Sequence, residues 1–326
     1  MVNSPILLVN FGGPRSLEEV RAFLTELLLD RDVVRTRLPS FVHNYLFRRV
    51  ARKRAEKIRH DYQLIGGKSP IYFDTEEIAK RLTERLNVPV FTFHRYLAGT
   101  HEESLRAIEE SGADEIRVVP LFPQFSYATT GSIARFFVNR LSRKTLSKLR
   151  WVQSYAGHVG YIRAYQRRIG DFLRERNLLE DRTLLLFSAH GLPKSFVSSG
   201  DPYGQECELS YREIMKAFPR ASSLLAYQSK FGKGEWLRPY TDETCQNILT
   251  LPEKRDQVVI VPLSFTSDHI ETLFEIEKLS LPALQANGIE AHRCPALNLE
   301  PYWIEALAEI ASEQRGVSAQ TLVRGF

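Results

Sequence analysis

The chain has 326 residues, of which 43% are hydrophobic and 25% charged, a composition typical of a globular protein with a sizeable core. Its net charge of +5 is concentrated in residues 48–59, RRVARKRAEKIR, which hold seven basic residues and one acid. One local strip argues against a nucleic-acid partner, which needs a wider basic face, and no run approaches the ~20 apolar residues of a membrane span.

The first predicted element is a buried strand at 6–9, followed by the turn Asn10-Phe11-Gly12-Gly13-Pro14 and a helix from Ser16 with a capping box, SLEE. The turn is neither GxGxxG nor a P-loop, so a nucleotide site is not favoured. No signal or transit peptide fits before the strand, and a cytoplasmic protein is expected.

The second predicted helix, at 38–62, joins an apolar segment to the basic strip. One interpretation is a solvated helix with an apolar core stripe. The other is a segment at 38–60 that rims a pocket, with a peripheral membrane contact through 41–59.

Further along, buried strands are predicted at 90–96, 115–121, 183–187 and 258–263. Helices are expected between them at 75–86, at 104–110, from about 130 and near 200–211, and a last one at 300–314. Strands that alternate with helices predict an α/β fold with parallel, doubly wound sheets, where ligands gather at the carboxyl ends of the strands.

Two sequence echoes indicate an internal duplication. The segment at 117–126, RVVPLFPQFS, resembles VIVPLSFTSD at 259–268, and ILLVNFGGP at 6–14 resembles LLLFSAHGLP at 184–193. We therefore predict two similar Rossmann-like halves, 1–159 and 160–326, with the C-terminal helix packing back on the first half and an active-site cleft between the halves.

The four strand-end turns of these echoes are expected to wall that cleft. It would be aromatic on one side and acidic on the other. The residues concerned are Asn10, Phe11, Phe122, Gln124, Phe125, His190, Asp268, His269 and Glu271.

The most distinctive turn is the last one. Thr266, Ser267 and Asp268 are candidate N-caps, and Asp268, Glu271 and Glu275 follow at helical spacing, which predicts three acids on one face. An acidic first turn that complements the helix dipole explains Asp268 and Glu271 but not Glu275. Opposite this face, His190 is a candidate metal ligand or general base.

Seven motifs in order resemble the ferrochelatase family over nearly the whole chain. They are NFGGP with FLTELLLDRDVV, YQLIGGKSPI, HRY, PLFPQFSYATTGS, FSAHGLP with GDPY, YQSKFG with WLRPYT, and VPLSFTSDHIETLFEIE.

The resemblance implies two Rossmann-like domains that hold a porphyrin and insert Fe²⁺, a lyase reaction that completes haem synthesis. It implies that His190 and Glu271 form the metal-inserting pair and face each other across the macrocycle, with Asp268, His269 and Glu275 as an acidic path beside them. The substrate-binding residues expected are Asn10, Phe11, Ser69, Arg95, Tyr96, Phe122, Gln124 and Trp236.

Several choices stay open at this point. The aromatic forms of the motifs favour protoporphyrin IX, with coproporphyrin III as the alternative, and His190 and the Glu271 face could exchange the roles of proton acceptor and iron donor. Rival functions are a chelatase for cobalt or an earlier tetrapyrrole, a periplasmic-type binding protein and a non-catalytic tetrapyrrole carrier. The sequence sets no oligomeric state.

A [2Fe–2S] cluster is not expected. Some members of the family hold one with a Cys in the PQFS-type motif and further Cys near the C-terminus. Here Tyr127 occupies the first of these positions, and no Cys follows Cys294.

Overall fold

The computed structural model describes residues 4–232, 234–252, 255–313 and 315–323. The chain forms two compact units, the first built from residues up to 154 together with those from 307 onward, and the second from residues 155–306. The sequence-based boundary after residue 159 and the cleft expected between the halves stay predictions.

The first unit contains a parallel sheet of four strands. In chain order these are β1 (Ile6–Asn10), β2 (Val90–His94), β3 (Ile116–Pro120) and β4 (Leu149–Trp151). Their spatial order is β2-β1-β3-β4, and the register places Asn10 beside His94 and Val9 beside Pro120. The carboxyl ends of β1, β2 and β3 therefore lie at one edge of the sheet.

The second unit repeats this sheet. Its strands are β5 (Thr183–His190), β6 (Ser222–Gln228), β7 (Gln257–Pro262) and β8 (Glu290–Arg293). They are parallel in the order β6-β5-β7-β8, so the positions of first, second, third and fourth strand are the same in both sheets. Two similar α/β units with parallel sheets flanked by helices confirm the predicted fold class.

Helices connect the strands. Those of the first unit are α1 (Val20–Leu29), α2 (Ser40–Gln63), α3 (Pro70–Leu86), α4 (His101–Glu110), α5 (Thr130–Arg140) and α6 (Arg143–Leu146). Those of the second are α7 (Val159–Glu175), α8 (Lys194–Ser198), α9 (Tyr203–Met215), α10 (Thr241–Gln246), a π-helix (Glu271–Ser280) and α11 (Leu281–Gln285). Short 3₁₀ turns occur at Ala98–Thr100, Glu180–Arg182, Ile248–Thr250 and Ala319–Leu322, and α12 (Pro301–Glu313) starts in the second unit and ends in the first. In the described ranges no helix has the length and apolar character needed to cross a bilayer.

The central strands are buried on both faces. Residues 6–9 of β1, 184–187 of β5 and 258–261 of β7 have no exposed surface. Runs of Ile, Leu, Val and Phe suit this environment, because helices cover both sides of a parallel sheet. Such rigid strands fix the backbone of the turns that follow them.

The start of α1 differs from the prediction. The helix begins at Val20 rather than Ser16, and Glu19 forms no capping box. Its carboxylate instead accepts hydrogen bonds from the backbone N–H of Arg15 at 2.9 Å and from the guanidinium Nε at 3.0 Å. The Glu19 carboxylate is therefore bound by Arg15, four residues earlier, and is not available for the capping box.

The last described residues complete the first unit. Val317 and Trp151 exchange two backbone hydrogen bonds of 2.9 Å, which adds an antiparallel bridge to the edge of β4. Nearby, a Cβ on Gly131 would lie 3.0 Å from the carbonyl oxygen of Leu322, so α5 approaches this segment closely. The sheet of the first unit thus depends on residues from both ends of the chain.

Candidate active site

The centre of the candidate site is a histidine–carboxylate pair in the second unit. His190 is the last residue of β5, and Glu271 is the first residue of the π-helix, which follows the neighbouring strand β7. His190 Nδ1 lies 2.7 Å from Glu271 Oε2. Two of the predicted strand-end turns therefore meet, because parallel neighbours bring their carboxyl ends to the same edge. The two side chains are in direct contact, so the expectation that they face each other across a macrocycle was wrong.

The electrostatics of the pair raise the proton affinity of His190 and lower that of Glu271. Burial lowers the pKa of His190, but the charge of Glu271 and its hydrogen bond outweigh burial, so the net shift of the His190 pKa is upward. For Glu271 burial raises the pKa, and the charge and hydrogen bond of His190 outweigh it, so that the net shift is downward. The imidazole side chain remains 37% exposed, which leaves it accessible to a substrate.

A second acid lies beside the pair. Ser229 Oγ is 2.6 Å from Glu275 Oε2 and 3.1 Å from Glu271 Oε2, and Gln228 Nε2 donates to the Glu271 carbonyl oxygen at 2.9 Å. Burial and the negative charge of Glu271 both raise the pKa of Glu275. The two carboxylates thus differ in proton affinity, which is the arrangement that separates acid and base roles.

The helix that carries these acids is a π-helix over Glu271–Ser280, not the α-helix predicted. It has no side-chain cap, so Thr266, Ser267 and Asp268 do not serve as the expected N-caps. Hydrogen bonds from i to i+5 widen each turn, and π-helical segments occur frequently at functional sites. Sequence spacing did not reveal it, because acids four residues apart are neighbours in both kinds of helix.

Asp268 lies outside this acidic cluster, so the prediction of three acids on one face was wrong. Its carboxylate forms an ion pair with Arg293 at 2.7 Å and accepts hydrogen bonds from Asn298 Nδ2 and Thr272 Oγ1, both at 2.8 Å. Asp268 precedes the helix and points toward the end of β8. Sequence reasoning missed Arg293; the signal available was a cation at the end of the strand next to β7.

His269 lies near the pair without joining it. Its Nε2 is 4.0 Å from Glu271 Oε2, and its Nδ1 is 3.2 Å from the carbonyl oxygen of Ser267. Burial, the largest influence, lowers the pKa of His269. We therefore expect a neutral imidazole here, held against the ring of Phe265, whose centroid is 4.6 Å away.

The residues predicted to bind substrate in the first unit fall into two groups. The first group is polar and buried. Asn10 Nδ2 donates to Thr75 Oγ1 at 3.1 Å, and the backbone N–H of Ser69 donates to the carbonyl oxygen of Pro14 at 2.8 Å. Gln124 is buried as well.

The second group is aromatic. Phe11 packs between Tyr96 and Phe122, with ring centroids 4.9 and 4.6 Å apart, and Phe11 and Phe122 are partly exposed. Tyr96 is fully buried, and its hydroxyl donates to Asp30 at 3.0 Å. Arg95 forms an ion pair with Asp30 at 3.0 Å and lines a cavity of about 650 Å³.

Trp236, predicted to flank a flat ligand or to fill core, is buried in the second unit. It forms a β-bridge with Pro193 and packs against Phe231, with a distance of 5.3 Å between the ring centroids. This geometry is that of a packing residue behind the turn that follows His190.

Two solved structures resemble this fold. SirB from Bacillus subtilis with Fe³⁺ is 14% identical, has a TM-score of 0.56 and covers 95% of this chain and 96% of its own. CbiX, the terminal enzyme for biosynthesis of siroheme in denitrifying bacteria, is 20% identical and has a TM-score of 0.50. The match covers 74% of this chain and 91% of CbiX. The fold is therefore that of the chelatases.

Sequence comparison identifies the family to which this chelatase-fold chain belongs. The family model described as Ferrochelatase matches residues 3–315. A ferrochelatase from Chlamydia abortus is 46% identical over 98% of this chain and 99% of its own length, and one from Chlamydia pneumoniae is 42% identical over 99% and 97%. The chain belongs to the ferrochelatase family, for which iron is a substrate.

Proposed function

We propose that the protein inserts Fe²⁺ into protoporphyrin IX to give protohaem, a lyase reaction. The observation that carries this proposal is the pair of His190 and Glu271, 2.7 Å apart at the carboxyl ends of adjacent strands, with the imidazole accessible. An accessible base next to an ionised carboxylate provides both groups that metallation of a porphyrin needs.

Metallation replaces two pyrrole protons with one Fe²⁺, so two protons leave the macrocycle in each turnover. The raised pKa makes His190 a stronger base, and in the neutral imidazole a proton on Nδ1 faces Glu271, which leaves Nε2 free to accept a pyrrole proton. Glu271 stabilises the imidazolium that results, and the next proton passes toward Glu275, whose raised pKa makes it the better acceptor of the two acids. Because the Asp268 carboxylate is ion-paired with Arg293, the proposed acidic path comprises Glu271 and Glu275.

The first unit has an apolar surface suited to a flat macrocycle, formed by Phe11 and Phe122. Both rings are partly exposed, and they pack in a tilted arrangement with centroids 4.6 Å apart. Large aromatic faces favour a porphyrin whose edge is mostly apolar, and protoporphyrin IX carries two propionates where coproporphyrin III carries four.

The decisive assay mixes the protein anaerobically with porphyrin and Fe²⁺ or Zn²⁺ and follows the Soret band. Protoporphyrin IX should be metallated faster than coproporphyrin III at equal concentration, and His190→Ala and Glu271→Gln should bind porphyrin but metallate it slowly. A clear preference for coproporphyrin would reject the substrate. Binding without catalysed metallation would reveal a carrier.

We further propose that α2 touches an anionic membrane surface, since protoporphyrin is poorly soluble in water. Phe41 and Tyr45 are 76% and 65% exposed, and the buried face of α2 is formed by other residues, His43, Ala51, Ala55 and Tyr62. The helix also has an apolar core stripe, because Ala51 is buried and Phe47 and Val50 pack against the same cluster, so the proposed contact concerns only the exposed rings at its start. The basic strip continues along the same helix, a combination typical of an interfacial segment.

Liposome sedimentation tests this contact. The protein should sediment with vesicles that contain anionic lipid and stay in the supernatant with neutral ones, while Phe41→Ser with Tyr45→Ser should weaken sedimentation. Equal behaviour on both vesicle types would contradict the proposal.

The absence of a [2Fe–2S] cluster stays a prediction, as do the cytoplasmic location and the absence of a nucleic-acid partner. The three cysteines are buried and free of disulfides. Iron–sulfur absorbance in the purified protein would refute the prediction of a protein without a cluster.

A further inference from the structure

Ser229 follows β6 directly and has an unusual backbone conformation. Its φ is +63°, in the left-handed region. The other non-glycine residues with positive φ in the described ranges are all asparagines, Asn87, Asn177 and Asn298. Asparagine tolerates this region, whereas serine visits it at a greater cost, so some interaction of the serine must offset the strain.

The interaction is made by the hydroxyl group. Ser229 Oγ lies 2.6 Å from Glu275 Oε2 and 3.1 Å from Glu271 Oε2, the same oxygen that faces His190 Nδ1 at 2.7 Å. A continuous row of short contacts therefore joins His190, Glu271, Ser229 and Glu275. The left-handed backbone is what turns the serine side chain back toward the π-helix.

A donor at this place has a clear electrostatic purpose. Two acids brought together repel each other when both are ionised, and a hydrogen-bond donor between them reduces that cost. Gln228 supplies a second donor, with Nε2 3.4 Å from Glu275 Oε2. Its amide is itself fixed, because Ser188 Oγ donates to Gln228 Oε1 at 2.6 Å and lies 2.8 Å from Thr241 Oγ1.

We propose that Ser229 is a positioning residue of the metal-inserting site: its hydroxyl holds the Glu271 and Glu275 carboxylates together and keeps Glu271 Oε2 directed at His190 Nδ1. The inference rests on the proposed function, because it assigns to Ser229 the alignment of the pair that would accept pyrrole protons. Ser229 touches neither porphyrin nor iron in this proposal and acts through the two acids.

Two substitutions separate the hydroxyl from the backbone. Ser229→Ala removes the hydroxyl and keeps the strain, whereas Ser229→Gly removes the hydroxyl and relieves the strain. Both should lower kcat for porphyrin metallation by roughly 10-fold to 100-fold, the loss expected for a hydrogen bond to a charged group, with KM for porphyrin within about twofold of wild type. Ser229→Asn, which tolerates the left-handed region and carries an amide donor, should recover part of kcat.

The matched control is Ser147→Ala, an exposed serine of the first unit whose hydroxyl bonds only locally, to the carbonyl oxygen of Lys144 at 2.8 Å. It should leave kcat and KM unchanged. If Ser229→Ala and Ser229→Gly fold and retain wild-type kcat, or if they raise KM while kcat stays constant, the inference is wrong.

A measurement without substrate keeps this inference separate from the proposed function. Histidine-selective NMR of the full chain, free of porphyrin and metal, should show altered His190 ring signals in Ser229→Ala and Ser229→Gly but not in Ser147→Ala. Unchanged His190 signals would overturn the positioning role. Wild-type protein that fails to metallate any porphyrin would overturn the proposed function, while the NMR result would still decide whether Ser229 aligns the pair.

Discussion

The third strands of the two sheets continue with the same residues, Val-Pro-Leu, and their backbones are anchored in the same way. Leu121 donates to the carbonyl oxygen of Val9 at 2.9 Å after β3, and Leu263 donates to that of Ser188 at 3.0 Å after β7. Beyond this point the units diverge. The first unit continues into α5, an α-helix whose first turn has no acid, and the second into the π-helix with Glu271 and Glu275.

The first strands show the same contrast. By the matching anchors and by the sequence echo, Phe11 after β1 corresponds to His190 at the end of β5. One scaffold therefore presents an aromatic ring in the first unit and an ionisable ring in the second. The fold thus supplies equivalent strand ends, and the side chains placed on them decide which unit has an aromatic surface and which has acid–base groups.

The first unit has a His–Glu pair of its own, and burial distinguishes it from the candidate site. His94 Nε2 lies 2.8 Å from Glu76 Oε1, but the His94 side chain is only 2% exposed and its ring packs on Tyr72 with centroids 4.7 Å apart. A substrate can reach His190 and not His94. The distance within a pair thus says less about function than the access to it.

The largest effect is expected for His190→Phe, which gives the second unit the aromatic strand end of the first. We expect metallation to fall about 10²–10⁴-fold, the usual contribution of a positioned general base, while circular dichroism stays that of the wild type. Porphyrin binding should persist, as measured by quenching of tryptophan fluorescence. Near-normal turnover would show that the chemistry does not reside at this strand end.

Asp268→Ala tests whether this acid serves structure rather than the acidic path. It leaves the largely buried Arg293 side chain with one acidic partner, Glu277, and we expect the free energy of unfolding to fall by about 3 kcal/mol in urea denaturation. The control is Glu277→Gln, which removes the more exposed partner and should cost less. A variant of full stability with lost turnover would return Asp268 to the catalytic path.

His94→Ala tests the buried pair. It removes the contact with Tyr72 and the partner of Glu76, and should cost about 2 kcal/mol of unfolding free energy. Turnover per folded molecule should stay within about twofold of the wild type in the Soret assay. Loss of metallation in a fully folded variant would contradict the distinction drawn from exposure.

The smallest effect is expected for Glu275→Gln, and it depends on pH. The folded-state pKa of Glu275 is raised above the unfolded value of ~4.3, so the wild type loses stability as pH rises between these two values. Gln resembles the protonated acid, and the variant should gain roughly 2 °C in Tm at pH 8 and almost nothing at pH 4. A gain that is equal at both pH values would show that Glu275 is not coupled to Glu271.

Much of this comparison was predictable from the sequence. Short apolar runs such as 258–261 are typical of strands at the centre of a sheet that is covered on both faces. The two echoes indicated the repeated units, and the strand order shows them. His190 and Glu271 followed, since the ends of adjacent parallel strands must meet. The family resemblance supplied their roles.

The remaining features depend on contacts that no spacing records. The π-helix was missed because its distinction from an α-helix lies in the hydrogen-bond register. Asp268 was assigned to the wrong face because its partner, Arg293, lies 25 residues away on β8. Ser229 lies in the YQSKFG motif, but the motif did not indicate its role, since the left-handed conformation of a serine is visible only in the backbone angles.

The antiparallel bridge between Val317 and Trp151 bears on the order in which the two units can fold during synthesis. During synthesis, all residues of the second unit emerge before the strand segment that closes the edge of β4. The second unit, which has the acid–base groups, can complete its sheet before the residues that complete the first unit have been synthesised. A nascent chain stopped near residue 306 would therefore hold His190 and Glu271 in place while the aromatic unit is still incomplete.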